Sequence, residues 1–278
     1  MRNDSSYDVR RIARSVTTEI SRLGAQVDLF AAAEMGVYRR FGLRAGMAVA
    51  DLGCGPGFLL RALRAAEPDL ALTGVDIEPL LLERARDLLD DGGPAVTLLE
   101  GSIEKTGLAD ESVDFVVSRL VLEHLADPAA ALGEVLRILR PDGVAVIVDN
   151  DFAMHVMTHP HIPELDDLYR AYCRSRSDEG GNPTIGRELP ALLRAAGFAD
   201  IRFDVISAHS QVAGTDAFLR SEGSGIPVQL VRDGYLDSRT LARLTVGWRA
   251  MLRRDDHAII RQLYAAAGRK VRPADLRR

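Results

Sequence analysis

The stretch VADLGCGPGFLLRAL, Val49 to Leu63, decides the fold. An apolar run ends in Asp51, glycines follow at 53, 55 and 57, and an amphipathic pattern begins at once with Pro56 near its head. Read by periodicity and turn chemistry, this is a buried strand, a tight turn and a helix. Such a unit opens a crevice at the carboxyl end of the strand, and backbone N–H groups are expected to point into it. A glycine turn chosen only for tight packing produces the same pattern, so the residues around it must discriminate.

A dinucleotide fingerprint needs its third glycine three positions after the second, and that position is Phe58. No Gly-Lys-Ser/Thr run follows, which removes the nucleoside triphosphate cradle. Asp76 ends the next apolar run, 23 residues after Gly53. A carboxylate there can accept both hydroxyls of a ribose, or it can cap the helix opened by Glu78 and Pro79.

Working outward, short apolar runs alternate with helical patterns. MAVADL is followed by a helix over 56–67, LALTGVDI by a helix over 78–90, then AVTLLEG, VDFVVSRL, a helix over 128–139 and GVAVIVDN. That alternation predicts an α/β fold with a doubly wound, mostly parallel sheet. Helical patterns over 5–23 and 26–41 precede it. After Asn150 the rhythm breaks: 163–176 reads as a helix, a helix ending at Gly197 and the strand DIRFDVISAH resume the core, 211–256 is mainly helical, and HAIIRQLYAAAGRK supplies a closing strand.

DLGCGPG, GVDIEP and DFVVSRLVLEHLADPAAALGEVLRILRPDG, at these intervals, resemble the class I S-adenosylmethionine-dependent methyltransferases, in the branch that acts on small molecules. The likeness is close over residues 45–150, and the order of later elements agrees with it. It implies a seven-stranded Rossmann-like sheet with N-terminal helices and helical lid insertions. The expected organisation is a helical cap at 1–44, a cofactor-binding core at 45–150 continued at 184–210, a lid insertion at 151–183, a helical insertion at 211–256, and a closing strand and tail at 257–278.

The resemblance also implies S-adenosyl-L-methionine as cofactor. Asp51, Gly53 and Gly55 would surround its methionine end, Asp76 would hold its ribose, and Ile77 would lie against its adenine. Where family members show Gly-Asp after the third strand, this chain has Gly101-Ser102, so Ser102 and the backbone of Ile103 are the adenine contacts expected here. Ser118 and Arg119 close the fourth strand, where the family offers a backbone carbonyl to the cofactor's amino group; a surface ion pair is the other account of Arg119. Gln26 and Glu34 lie where related enzymes fold a helix over the cofactor, and Glu123 and His124 are read as parts of the fold.

A sulfonium methyl is already electrophilic, so the protein has to place a nucleophile, exclude water and accept a proton. The segment DNDFAMHVMTHPHIP carries His155, His159 and His161 beside Asp149 and Asp151. Pro160 and Pro163 interrupt any helix that would align these groups on a metal, so no metal site is expected. His155 is the first candidate for the general base and His159 the second, with loop-surface positions as the alternative for both. Tyr169 and Tyr172 are spaced to line a pocket or to pack in the core, and the lone Trp248 reads as core.

The chain has 278 residues, 47% hydrophobic and 27% charged, with a formal net charge of -5. That balance argues against wrapping nucleic acid, which relies on basic residues, and places a small-molecule substrate first. The first residues lack a signal-peptide core and no apolar run spans a bilayer, so the expectation is a cytoplasmic protein without a membrane partner, with room for a homodimer. Two cysteines, Cys54 and Cys173, exclude a disulfide framework. The expected function is methylation of a small acceptor, on oxygen in preference to nitrogen or carbon, in bacterial specialised metabolism. The alternative is a non-methylating reaction, such as cyclisation or decarboxylation, at the same cofactor site.

Overall fold

The computed structural model describes residues 16–222 and 225–272. The chain opens with one helix, α1 (Val16–Phe41), and then alternates: β1 (Ala48–Leu52), α2 (Phe58–Ala66), β2 (Ala71–Asp76), α3 (Pro79–Leu89), β3 (Thr97–Glu100), β4 (Val113–Arg119), α4 (Pro128–Ile138) and β5 (Leu139–Asp149). These five strands pair in parallel in the order β3-β2-β1-β4-β5. The order reverses between β1 and β4, and ligands of open α/β sheets bind beyond the carboxyl ends of the strands at such a switch point.

Side chains alternate across the sheet as the pleat demands. Val49, Phe115, Val117, Val146 and Val148 join the core under α1 and α2, whereas Ala50, Leu52, Val116, Ala145 and Ile147 join the core under α4. Both faces are therefore covered, which accounts for the near-continuous apolar runs of β1, β4 and β5.

Beyond β5 come β6 (Val156–His159), α5 (Pro163–Asp178), α6 (Leu189–Ala196), β7 (Ala199–His209), α7 (Ser210–Ala213), α8 (Thr215–Ser221), α9 (Ile226–Arg232), α10 (Ser238–Leu252) and β8 (Ala258–Arg269). The last strand runs antiparallel between neighbours. One edge of β8 pairs with β7; the other pairs with β5 over Tyr264–Arg269 and with β6 over Ala258–Arg261.

Two details differ from the sequence expectation. The described part of the N-terminal segment is a single helix rather than two, and residues 1–15, where the expected helix over 5–23 begins, lie outside the described residues. Gly24 does not break α1 because it serves packing: a Cβ there would meet Phe58 Cζ at 3.0 Å, so its absence lets α1 approach α2. The sheet has eight strands among the described residues, not seven. The extra one is β6, a four-residue strand in the segment after Asn150 that showed no periodicity; its pairing comes from β8, far along the chain, with Val156 opposite Arg261 and His159 opposite Ala258.

Candidate functional site

At the switch point a cavity of about 1030 Å³ opens beyond β1, β2, β4 and β5 and continues under α1, α5, α8, α9 and α10. Ligand pockets commonly measure ~300–1,000 Å³, so this one has room for more than one molecule.

The glycine turn forms part of its wall. Gly53, Gly55 and Gly57 all adopt positive φ (78°, 51° and 80°), the region that favours glycine. A Cβ on Gly53 would lie 2.4 Å from Val121 Cγ2, so the bare backbone lets the segment after β4 close over the turn; a Cβ on Gly55 would meet no protein atom within 4 Å. The amides are disposed differently from expectation. Gly53 N and Cys54 N donate to Val75 O, Gly55 N to Asp76 Oδ2 and Gly57 N to Cys54 O. The turn is therefore not a cradle of free N–H groups: neighbouring carbonyls and a carboxylate consume them. What the turn presents is electronegative.

Asp51 supports that reading. It is buried and its Oδ2 has no hydrogen-bond partner. Burial, with Asp76 next, pushes its carboxyl up to about 7 against the pull of Arg119. An orphaned buried carboxylate beside a glycine turn fits an ammonium group. Asp76 closes β2 with Oδ2 on Gly55 N at 2.7 Å and Oδ1 on Glu78 N at 2.9 Å. Each oxygen keeps a lone pair for a ligand hydroxyl. Burial raises its pKa, opposed by these backbone hydrogen bonds.

Ile77 lines the cavity half-exposed, and Ser102 and Ile103 face the same region from the turn after β3. Ser102 Oγ already accepts from Glu104 N at 3.2 Å. Asp51, Asp76, Ile77, Ser102 and Ile103 thus all line this cavity, which brings two buried carboxylates beside the glycine turn together with the apolar side chains of Ile77 and Ile103. It fits a nucleoside that carries a cationic amino-acid tail.

Three expected residues depart from expectation, two in where they lie and one in what it binds. Ser118 is wholly buried behind the wall, with Oγ unpaired, and does not line the cavity. Arg119 lines it, but as neither a free contact nor a surface pair: its Nε donates to both oxygens of buried Glu34, at 2.9 and 3.0 Å, and its Nη2 to Gln26 O. His159, the second candidate base, lies outside the cavity with its side chain 66% exposed, 3.8 Å from Asp256, because the pleat of β6 turns it outward. It is withdrawn as a base.

His155 does reach the cavity and is buried. Its ring lies 4.5 Å from Phe152 and 5.6 Å from Tyr169, and its Nδ1 has no partner. Burial, then Arg261 and Arg22, holds its pKa well below the usual histidine value. It is a neutral imidazole near pH 7. His161 faces Asp166 instead, and among the described residues no three histidine, cysteine or acidic side chains converge on a metal position.

Further groups line the cavity; the sequence reads Tyr172 as pocket or core and Glu123 as part of the fold, and singles out none of Leu120, Phe152, Glu222 and Arg261. Leu120, the residue after β4, has φ 58°, a strained left-handed conformation that turns the chain across the cavity. Glu123 is buried, receives Asn150 Nδ2 at 3.0 Å, and is pushed well above the carboxylate range by burial and by Asp149. Phe152 and Tyr172 stand 4.4 Å apart. Arg261 and Glu222 come from opposite ends of the late sequence. A lone charge in the apolar run AIIRQLYAAAG was the one available hint of Arg261.

Residues 50–147 match the family described as a methyltransferase domain. An uncharacterized 37.1 kDa protein in transposon TN4556 of Streptomyces fradiae is 38% identical over 158 residues, 56% of this chain and 44% of that protein. The malonyl-(acyl-carrier protein) O-methyltransferase of Serratia marcescens is 33% identical over 135 residues, 47% of this chain and 51% of that enzyme. The chain spans about half the length of the curated relatives it matches. Among solved structures, Haemonchus contortus phosphoethanolamine N-methyltransferase 2 in complex with S-adenosyl-L-methionine shares the fold at 19% identity, with a TM-score of 0.55 over 87% of this chain and 53% of that one.

Proposed function

We propose that the protein, whose residues 50–147 match the methyltransferase domain family, is an S-adenosylmethionine-dependent methyltransferase that methylates a small, largely apolar acceptor, on oxygen in preference to nitrogen or carbon. The observation that carries this reading is the orphaned Asp51 carboxylate beside a turn whose amides are already used, with Asp76 on the adjacent strand end. Bound there, S-adenosyl-L-methionine supplies an electrophilic methyl group. Asp51 would hold its ammonium, Asp76 its ribose, and Ile77, Ser102 and Ile103 its adenine.

The rest of the cavity would receive the acceptor. Phe152, Tyr169, Tyr172 and His155 form an aromatic wall, and Trp248 with leucines of α5 and α10 adds apolar surface that excludes water. Held neutral, His155 would accept the proton of an acceptor hydroxyl as the oxygen is methylated. The match to a curated O-methyltransferase supports, at low identity, the preference for oxygen. A role in bacterial specialised metabolism belongs to the same proposal.

The test is to incubate the protein with methyl-labelled S-adenosyl-L-methionine and a cell extract and to identify the small molecule that gains label. Equimolar S-adenosylhomocysteine is expected, with slower transfer by His155→Ala at every pH. Product formation without S-adenosylhomocysteine would replace this reading with the non-methylating alternative.

A further inference from the structure

Arg261 is the least compensated buried arginine lining the cavity. It is 2% exposed, yet a buried guanidinium is costly unless bidentate partners surround it. Two other cavity-lining arginines whose side chains are largely buried have dedicated carboxylates: Arg22 donates to Glu19 at 2.9 Å, and Arg119 is held by both oxygens of Glu34. Arg261 has weaker company. Among the described residues its one carboxylate neighbour is Glu222, reached by a single Nη1 contact at 3.5 Å. Ser221 Oγ accepts from Nη1 at 3.2 Å, and Gln26, with its amide oxygen turned toward the guanidinium, accepts from Nη2 at 3.1 Å. Nε has no partner, and the ring of Phe30 lies 5.8 Å from the guanidinium carbon.

Glu222 is loosely held in turn. It follows α8; its side chain is 32% exposed as a whole, yet Oε1, the oxygen nearest Arg261, is buried and makes no hydrogen bond. Burial lowers the Arg261 pKa, and its field, with that of Arg22, reaches His155. The same cavity is lined by an aromatic cluster in which the Phe152 ring is tilted to His155 at 4.5 Å and stacks on Tyr169 at 6.2 Å, and His155 meets Tyr169 edge-on at 5.6 Å.

We propose that Arg261 is the anchor for an anionic group on the methyl acceptor: the substrate class is a flat, apolar monoanion, its body against Phe152 and Tyr169 and its carboxylate or equivalent displacing Glu222 from the guanidinium. The inference rests on the methyltransferase reading above and adds the charge of the acceptor. A carboxylate can take two guanidinium protons at once and satisfy Nε, which Glu222 does not.

Calorimetry on the full chain saturated with S-adenosylhomocysteine tests it, using benzoate, 3-phenylpropanoate and 2-naphthoate, each against its neutral amide. At least one carboxylate should bind roughly tenfold or more tighter than its amide. Arg261→Gln should abolish that preference and Arg261→Lys keep part of it. Glu222→Gln should tighten carboxylate binding, because it removes the competing anion; a purely structural ion pair would instead show only loss of stability and no gain in affinity. If S-adenosylhomocysteine binds but no carboxylate is preferred, or the preference survives in Arg261→Gln, the anchor is refuted and the methyltransferase reading stands. Should S-adenosylhomocysteine itself fail to bind, both fall.

Discussion

Asp76 does two things with one carboxylate: it pins the glycine turn through Gly55 N and faces the cavity from the neighbouring strand end. If it also grips a ribose, Asp76→Ala removes two charge-assisted hydrogen bonds, and affinity for S-adenosylhomocysteine should fall roughly 10- to 100-fold in calorimetric titration. Unchanged affinity would remove the ribose assignment. Asp51 is distinguished by titration. Its carboxyl is pushed up to about 7, and an adjacent ammonium would lower it again. Binding below pH 7 must then expel a proton, so affinity should weaken as pH falls from 7 toward 5, with proton release visible in buffers of different ionisation enthalpy. Asp51→Asn should bind without that dependence. Both carboxylates were legible from the strand-turn-helix pattern, since residue type and strand-end position follow from local sequence. The fate of the turn amides was not, because Val75 O meets them only once β1 and β2 pair.

At the scale of elements, α1 is fastened to the sheet by one buried polar cluster. Glu34 receives both Arg119 Nε and Tyr38 Oη, the latter at 3.0 Å; Glu34 and Tyr38, on α1, are fully buried, and Arg119, at the end of β4, is 8% exposed in its side chain. Removing one partner strands a charge in low dielectric. Glu34→Ala should cost about 3–5 kcal/mol in urea denaturation, and the double variant Glu34→Ala/Arg119→Met should recover part of that loss. If the two changes simply add, the cluster does not hold α1 in place. The apolar spacing of α1 was readable in sequence, but its partner was not: Glu34 and Arg119 are 85 residues apart, and nothing local distinguishes a paired arginine from a surface one. The short strand β6 was missed for the same reason, since β8 supplies its hydrogen bonds and it has little burial pattern of its own.

Across the whole molecule, the last described strand is the one that completes the sheet. β8 pairs with β5, β6 and β7, so a chain truncated after Leu252 leaves β5 with an open edge and β7 without a neighbour. Such a chain should lose its cooperative thermal transition by circular dichroism rather than melt a few degrees earlier; a sharp transition retained would show that the parallel half folds alone. The same strand carries Arg261 into the cavity, which ties the acceptor region to the final step of sheet assembly. By itself the sequence determined the α/β alternation, the switch-point crevice and the acids at its strand ends, because hydrophobic period and turn chemistry act over a few residues. The tertiary structure alone decided which of His155 and His159 turns inward, that Arg119 is taken up by Glu34, and that Arg22, Arg261 and Glu222 share one chamber with the aromatic wall. Those outcomes depend on strand register and helix packing between segments far apart in the chain, and burial sets the protonation and pairing of each group only after those segments meet.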